Sequence, residues 1–307
     1  MVDLIPCVAL TGAGISAESG IPTFRSKGGL WEKYDPMVYA SIETFRMDPS
    51  KYWIIRGEFI RNYDNYLPNK AHMAMAELEN MGILRHVITQ NIDGLHKKAG
   101  SRNVAEIHGS LRETYCLQCG KEFIAPHVPE GMPPYCDCGG VLKPNTVLFG
   151  EQLPEGALET AYRESANCKL MLVIGTSAVV QPAASLPSLA RQQGAKIVEV
   201  NIEHAFPGAD FVVAEKAGAG ASRTVSHRHR TRRGKQAINI LPEQRAASVA
   251  IAVIIVITAV VTAEGRAGIV GADVGLLLGN QVPGDQGVGP ALRGRLAGSA
   301  ALHRTIG

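Results

Sequence analysis

The feature that most constrains the fold is a short apolar run that ends in a glycine turn. Val8–Leu10 is apolar, and Gly12-Ala13-Gly14 follows it before a segment that can begin a helix. The spacing is Gly-x-Gly-x-x-Ala, a variant of the fingerprint that binds dinucleotides in parallel sheets. Glycines in the turn let backbone N–H groups approach a pyrophosphate, and the N-terminus of the helix favours the anion. Taken alone, the pattern also fits an ordinary strand–helix turn.

Three more apolar runs of β-type composition follow, and each ends in small or polar residues. They are Leu84–Thr89, Leu170–Ile174 and Lys196–Val200. Helical patterns lie between them, at Ala71–Met81 and Leu158–Ala166. This alternation predicts an α/β fold, a Rossmann-like parallel sheet with helices on both faces. Because ligands bind outside the carboxyl ends of such strands, we expect the polar residues there to converge on one crevice.

Two close pairs of cysteines form the second motif. Cys116 and Cys119 are separated from Cys136 and Cys138 by 16 residues. Two thiol pairs at this spacing are typical of a tetrahedral zinc site. Four thiolates leave no coordination position for water, so the sequence predicts one structural zinc rather than a catalytic one. We expect residues 111–149, approximately, to form a small zinc-binding module inserted into the larger domain.

Composition divides the chain near residue 218. All 17 aromatic residues, all six cysteines and all eight methionines precede residue 219. Residues 1–218 carry 20 basic and 24 acidic side chains, whereas residues 219–307 carry 11 basic and 4 acidic ones. The basic character of the chain therefore comes from its second part. Residues 1–218 offer no compositional argument for direct binding of nucleic acid.

The start of the chain and the use of cysteine both bear on location. Met1–Leu10 lacks the basic region that opens a signal peptide. Four cysteines are assigned to zinc, and Cys7 and Cys168 lie in apolar surroundings that predict core positions. Both observations favour a reducing, cytoplasmic location.

Three interpretations stay open for the atypical tail, residues 219–307. A frameshifted reading frame with no selected fold is favoured by the absence of aromatic residues and by the replacement of Lys by Arg. A membrane anchor is suggested by Ala246–Ala263, 18 residues without a charge after a basic run. A disordered basic arm for nucleic acid or acidic partners is the third. Any contact with a membrane would come only through this tail.

Several longer motifs occur in one order along the chain, namely Gly12–Arg25, Gly29–Trp31, Thr89–His96, Ile107–Gly109, Phe149–Glu151, Gly175–Ser177 and Asn201–Glu203. Together they resemble the sirtuin family of NAD-dependent protein-lysine deacylases, in particular its archaeal and bacterial members. The resemblance implies a catalytic domain over residues 1–218 that consumes NAD. In that family the acetyl group of an acetylated lysine is transferred to ADP-ribose and nicotinamide is released. The implied partners are NAD and acetylated-lysine proteins or peptides.

The resemblance also implies roles for individual residues. His108 matches the general base, and an imidazole suits proton transfer near neutral pH. Asn91 and Asp93 match catalytic residues of the nicotinamide pocket, whereas His72 and His96 are expected to be structural. The residues matched to NAD binding are Gly12, Ala13, Gly14, Ser16, Phe24, Arg25, Trp31, Gln90, Asn91, Ile92, Asp93, Gly175, Thr176, Ser177, Asn201, Ile202, Glu203 and Ala217. The residues matched to pairing with the substrate backbone are Val147, Phe149 and Gly150.

Alternatives stay open for the acyl group that the chain removes and for the type of reaction. Family members that prefer succinyl- or malonyl-lysine carry a Tyr-x-x-Arg pair, and Arg56 and Phe59 stand at those positions here. We therefore expect acetyl-lysine to be the preferred substrate. The alternatives are removal of another acyl group, ADP-ribosyl transfer or hydrolysis of NAD. A non-enzymatic alternative is a zinc-ribbon protein that binds nucleic acid.

Overall fold

The computed structural model describes residues 6–25, 28–60, 65–124 and 133–217, and the backbone of two short strands beyond them. For residues 58–60 only the backbone is described. By its contacts the chain divides into two units, one of Asp3–Val253 and one of Met1–Val2 with Ile254–Gly307. All described residues belong to the first unit. The domain boundary after residue 218 stays a prediction.

The strands form two sheets. In chain order they are β1 (Cys7–Thr11), β2 (Leu84–Thr89), β3 (Val104–Glu106), β4 (Gly109–Cys116), β5 (Glu122–Ile124), β6 (Leu142–Thr146), β7 (Leu170–Ile174), β8 (Lys196–Val200), β9 (Phe211–Val213), β10 (Val225–His227) and β11 (Ala237–Ile238). The larger sheet has the order β11-β10-β9-β8-β7-β1-β2-β3. Its six strands from β9 to β3 run parallel, and β10 and β11 add antiparallel to one edge. The predicted parallel sheet is confirmed, and β2, β7 and β8 have the predicted bounds.

The helices lie mostly between these strands. They are α1 (Leu30–Lys33), α2 (Pro36–Tyr39), α3 (Ile42–Met47), α4 (Pro49–Ile60), α5 (Lys70–Asn80), α6 (Leu95–Lys98), α7 (Glu155–Asn167) and α8 (Leu186–Gln192). The two predicted helices correspond to α5 and α7. The segment after the glycine turn differs from the expectation, because Ala13–Ser19 is a 3-10 helix. It ends at Gly20, whose φ of 86° is readily adopted only by glycine.

Both faces of the larger sheet are buried, and β1 shows how. Val8 and Leu10 pack into an apolar cluster with residues of α7 and α8. Cys7 and Ala9 are equally buried and point to the other face, because successive side chains of a strand alternate. The apolar run before the glycine turn therefore predicted correctly a strand that is buried on both faces between helices.

The start of α5 is fixed by its own sequence. The side chain of Asn69 accepts hydrogen bonds from the backbone N–H groups of Ala71 and His72. The Nδ1 atom of His72 accepts the N–H of Asn69 in return, at 3.3 Å. This reciprocal cap satisfies donors that the first turn of a helix cannot pair. It also places His72 at a defined position beside the glycine turn.

A smaller antiparallel sheet, in the order β5-β4-β6, lies between β3 and α7 along the chain. It packs against α3 and α4 through a separate apolar cluster that includes Phe45, Trp53 and Leu142. The indole N–H of Trp53 donates to the carbonyl oxygen of Leu142 at 3.0 Å. Residues 125–132 of this predicted module lie outside the described part of the chain.

In the part of the chain that the structure describes, no helix has the length and apolar character needed to cross a bilayer. The span proposed for Ala246–Ala263 lies outside that part, as does nearly all of the tail.

Candidate active site

A cleft of about 1050 Å³ opens at the carboxyl ends of the central strands. The residues that follow β1, β2, β7 and β8 line it, namely Gly12, Gln90, Gly175 and Asn201. The convergence that the sequence predicted is therefore confirmed. Ligand pockets in proteins typically measure about 300–1000 Å³, so this cleft is large enough for a dinucleotide.

The glycines of the first turn are required by packing. A Cβ atom on Gly12 would stand 2.8 Å from Cβ of Thr176, and one on Gly14 would stand 2.7 Å from Cα of Gly175. The N–H groups of Gly12 and Gly14 donate to the carbonyl oxygens of Ile174 and Gly175. These two N–H groups are therefore bonded within the protein. They join the turns after β1 and β7, and these turns together form the floor of the cleft.

His108 lies in the wall of the cleft, just before β4. Its Nδ1 atom is 3.1 Å from the carbonyl oxygen of Gln90. Because a carbonyl oxygen only accepts, Nδ1 carries the proton and Nε2 is the basic nitrogen. Burial lowers the pKa of His108, and the bond to Gln90 opposes that effect. The ring is therefore neutral near pH 7 and able to accept a proton.

Behind the wall, a buried hydrogen-bond network orients Asn91. The Nδ2 atom of Asn91 donates to Ser16 Oγ at 3.0 Å, and Ser16 Oγ donates to Asp93 Oδ2 at 2.6 Å. The N–H of Leu95 donates to the other oxygen of Asp93. Burial raises the pKa of Asp93, while the bond from Ser16 lowers it. Asn91 lines the cleft, whereas Ser16 and Asp93 do not line it and are joined to it through this hydrogen-bond network.

Two buried histidines extend this network and have the structural roles that the sequence predicted. The rings of His72 and His96 stand edge to face with centroids 4.9 Å apart. His72 Nε2 lies 3.3 Å from Ser16 Oγ, and His96 Nε2 lies 3.0 Å from Thr11 Oγ1. Burial lowers the pKa of His72 to about 4 and that of His96 well below its ordinary value.

A second set of bonds ties the strand ends together across the floor. Gln90 Nε2 donates to Thr176 Oγ1 at 2.9 Å, and Asn201 Nδ2 donates to the carbonyl oxygen of Thr176 at 2.7 Å. Thr176 thus links the turns after β2, β7 and β8. All three residues were predicted to contact NAD, and all three line the cleft.

The turn after β8 depends on a buried carboxylate that the sequence analysis missed. Glu199 is fully buried and accepts hydrogen bonds from His204 Nδ1 and from the N–H of Ala205, both at 2.6 Å. This carboxylate holds residues 201–206 against the end of β8, and His204 joins the lining of the cleft. The signal was present, because a glutamate inside an apolar strand needs a set of donors.

Aromatic side chains cover another part of the cleft. The rings of Phe24 and Trp31 lie 5.3 Å apart, and Trp31 meets Phe149 edge-on at 6.2 Å. Backbone bonding keeps the first pair together, because the N–H of Trp31 donates to the carbonyl oxygen of Phe24. Arg25 also lines the cleft, and residues 26–27 lie outside the described part of the chain.

One end of the cleft is formed by α4 and contains a buried arginine. Arg56 is 1% exposed, and its guanidinium donates to the carbonyl oxygen of Leu111 at 2.7 Å and to Thr114 Oγ1 at 3.2 Å. The hydroxyl of Tyr52 lies 2.6 Å from Thr146 Oγ1. Burial raises the pKa of Tyr52, and the charge of Arg56 lowers it.

Sequence reasoning considered Arg56 but missed Tyr52 and Ile55, which also line this end. An arginine within an apolar helix was the available signal. The side chain of Phe59 lies outside the described residues.

The segment predicted to pair with a substrate backbone has few free main-chain groups. The N–H of Val147 donates to the carbonyl oxygen of His108 at 2.9 Å. Phe149 exchanges two backbone bonds with Ala40 and Ile42. Gly150 is exposed and lines the cleft, and no described residue bonds its N–H or its carbonyl oxygen. The main chain of Phe149 is therefore already bonded, and the pairing of this segment with a substrate stays a prediction.

The remaining predicted NAD contacts fall into two groups. Most of them line the cleft with the residues described above, namely Ala13, Ile92, Ser177, Ile202 and Glu203. Ala217 is buried and does not line it, although its neighbour Lys216 does. The individual contacts stay predictions.

The four predicted zinc ligands meet in the smaller sheet. The sulfur atoms of Cys116, Cys119, Cys136 and Cys138 lie within 4.8 Å of one another. The Sγ atoms of Cys116 and Cys138 are 3.5 Å apart, and those of Cys119 and Cys136 are 3.7 Å apart. A tetrahedral zinc with Zn–S bonds of about 2.3 Å places its sulfurs about 3.8 Å apart, so the cluster fits one zinc ion.

Comparisons with known proteins agree with this geometry. A family model described as the Sir2 family matches residues 12–182. NAD-dependent protein deacylase 1 of Archaeoglobus fulgidus is 49% identical over 224 residues, which cover 72% of this chain and 91% of that protein.

Two solved structures are also similar. A Sir2 homologue in complex with NAD is 49% identical, with a TM-score of 0.65, and the match covers 69% of this chain and 84% of that one. A Sir2 variant with a deacetylated p53 peptide and 3'-O-acetyl ADP-ribose is 40% identical, with a TM-score of 0.66 and coverage of 69% and 88%. With its cleft, its cysteine cluster and these matches, the chain belongs to the Sir2 family.

Proposed function

We propose that the chain is an NAD-dependent protein-lysine deacetylase, an acyltransferase that moves the acetyl group from lysine to ADP-ribose and releases nicotinamide. The observation that carries the proposal is His108, whose Nε2 is the basic nitrogen of a ring in a cleft of dinucleotide size. The names of the relatives support it, since one is a deacylase and another was solved with acetylated ADP-ribose.

His108 acts as the general base. Its Nδ1–H is held by Gln90, so Nε2 is fixed in orientation and accepts a proton from a ribose hydroxyl. The lowered pKa keeps the ring neutral at physiological pH, which is the form that a base requires. NAD supplies both the leaving group and the acceptor of the acetyl group, so no protein side chain has to form a covalent bond.

Asn91 orients the reacting end of NAD. Its Nδ2 is engaged by Ser16, which leaves the amide oxygen to face the cleft. The direction of the amide is set because Ser16 donates its own proton to Asp93. A preorganised amide of this kind does not have to reorient during the reaction.

The rest of the cleft binds and covers NAD. Gln90, Thr176 and Asn201 present polar groups along the floor. Phe24 and Trp31 form an aromatic cover that excludes water from the reacting centre. Exclusion of water favours transfer of the acetyl group over hydrolysis of NAD.

Acetyl-lysine is the acyl substrate that we propose. Arg56 and Tyr52 both use hydrogen bonds to hold the fold, to Leu111, Thr114 and Thr146. This supports a small uncharged acyl group at that end of the cleft.

The same arginine favours a second candidate, a deacylase for acyl chains that end in a carboxylate. A buried guanidinium that lines the cleft is a strong partner for a carboxylate. Two peptides of one sequence, acetylated or succinylated, separate these candidates by kcat/KM. We expect the acetylated peptide to react faster. Faster reaction of the succinylated peptide, lost in Arg56→Met, would favour the second candidate.

The reaction class is tested by one incubation. Acetylated peptide is mixed with the chain with and without NAD, and the products are measured by mass spectrometry. We expect deacetylated peptide, nicotinamide and acetylated ADP-ribose in equal amounts, and only with NAD. Consumption of NAD without peptide would favour ADP-ribosyl transfer or hydrolysis instead. DNA affinity that survives removal of residues 219–307 would favour the zinc-ribbon alternative.

We also propose a cytoplasmic location. Four of the six cysteines meet in the cluster that fits zinc, and the other two, Cys7 and Cys168, are buried apart from it. Thiols persist in this form in a reducing compartment, which supports the proposal.

A further inference from the structure

An ion pair between a buried lysine and a partly exposed glutamate lies beside the segment that we expect to meet the substrate. Lys143 on β6 is 2% exposed, and its Nζ atom lies 3.0 Å from Glu151 Oε2. The same Nζ donates to the carbonyl oxygens of Pro144 at 3.2 Å and Thr146 at 3.0 Å. The ammonium group therefore has three acceptors, and all of them belong to residues 144–151.

Glu151 holds the other end of this segment. Its Oε2 atom also accepts the N–H of Leu148 at 2.8 Å, and its own N–H donates to the carbonyl oxygen of Leu148 at 3.0 Å. The pair thus fixes the chain on both sides of Val147. Since Phe149 is bonded to Ala40 and Ile42, the adjacent Gly150 is left to present its main chain to the cleft.

Stability gives a weak reason for such a pair. Removing two charges from water costs several kcal/mol per ion, and well-packed neutral residues are often as stable. Burial lowers the pKa of Lys143 and the charge of Glu151 opposes that effect, so the two groups depend on each other. The pair instead sets the direction of the main chain between β6 and Gly150, which an apolar contact would not do.

We propose that Lys143 and Glu151 are positioning residues for the substrate peptide. They hold Gly150, at a φ of 88°, so that its N–H and carbonyl oxygen pair with the extended backbone of an acetylated peptide. Recognition of this kind uses main-chain bonds and tolerates many peptide sequences. The inference rests on the proposed function, because it assigns a part of that site to the peptide.

Three variants test the proposal in the full-length chain, namely Lys143→Met, Glu151→Gln and the double variant. The dissociation constant of a fluorescein-labelled acetylated peptide is measured by anisotropy, and that of NAD by calorimetry. We expect each single variant to weaken peptide binding about tenfold, because the remaining charge is left without its partner, and to change NAD binding little. The loss of peptide affinity in the double variant should be smaller than the product of the two single losses, since neither charge remains.

A matched control is the exposed pair of Lys121 and Asp137 in the smaller sheet, with side chains 53% and 89% exposed. Lys121→Met should change neither dissociation constant, because surface pairs contribute about 0–1 kcal/mol. If Lys143→Met does not fold, Glu151→Asp keeps the charge and shortens the side chain, and it should still weaken the binding of peptide.

Two results would overturn the proposal. One is peptide binding equal to wild type in folded single variants. The other is an equal loss of peptide and NAD affinity that follows the fall in thermal midpoint, which would reduce the pair to a support of the fold. A wild-type chain that binds the peptide but does not deacetylate it would contradict the proposed function and leave this inference standing.

Discussion

The Nδ1 atom of His108 lies 3.1 Å from the carbonyl oxygen of Gln90, the residue that follows β2. The side chain of Gln90 also donates to Thr176 at the end of β7. The proposed base and the floor of the NAD cleft are therefore held by the same residue. A shift of the strand ends would therefore change both the orientation of the His108 ring and the shape of the cleft floor.

We expect His108→Ala to lower the deacetylation rate about 10²–10⁴-fold, the range for loss of a general base. NAD binding and zinc content should change little, because the side chain forms part of one wall only. Steady-state kinetics and calorimetry measure the two effects. The control His86→Ala changes a histidine of β2 that lies outside the cleft and should retain turnover. Unchanged turnover in His108→Ala would remove His108 from the mechanism.

Loss of zinc should unfold the smaller sheet and abolish activity. The cluster joins the turns after β4 and before β6, and its two exposed members have little apolar packing of their own. We expect Cys116→Ala to lower bound zinc, measured by atomic absorption, together with the thermal midpoint. Cys168→Ala changes a buried cysteine outside the cluster and should keep its zinc. A metal-free protein that stays folded and active would contradict the structural role.

Gly14→Ala should weaken NAD binding and cost about 1–3 kcal/mol of stability, the usual range for an overpacked site. The added Cβ would stand 2.7 Å from Cα, 2.8 Å from the carbonyl oxygen and 3.0 Å from the carbonyl carbon of Gly175, and all three are backbone atoms. Chemical denaturation and calorimetry provide the readouts. The matched control is Gly156→Ala in α7, where a Cβ meets nothing within 4 Å. That change should be neutral or stabilising, since alanine favours a helix.

The chain should lose stability on acidification between about pH 6.5 and pH 4. The buried ring of His72 has its pKa lowered to about 4, so the folded state keeps it neutral while the unfolded chain protonates near pH 6.5. The unfolded state then binds more protons in that window, and the free energy of unfolding falls as pH falls, by up to about 3 kcal/mol.

Denaturation in urea across this pH range measures the slope. His72→Gln should be less stable at pH 7 but show a smaller loss between pH 6.5 and pH 4. His96 adds to the acid loss in both proteins, because burial lowers its pKa as well. Equal slopes in wild type and His72→Gln would contradict the assignment.

Local sequence patterns were enough to predict the central strands of the larger sheet and the four cysteines of the cluster. Apolar runs that end in polar turns identified β1, β2, β7 and β8, because strands buried on both faces have few polar side chains. The spacing of four cysteines identified the metal cluster, because thiolates two or three residues apart can reach one ion. Periodicity and ligand spacing are local properties of a chain, so a sequence contains them directly.

Which polar groups face the cleft depends instead on contacts between distant segments of the fold. The N–H groups of Gly12 and Gly14 are bonded to the last residue of β7 and to the residue after it, about 160 residues away in the sequence. Ser16 and Asp93 stand behind Asn91, and Glu199 holds a turn that local patterns describe as a plain loop. These assignments depend on hydrogen bonds between distant segments. The partner of each donor is set by the packing of the strand ends, which no local pattern encodes.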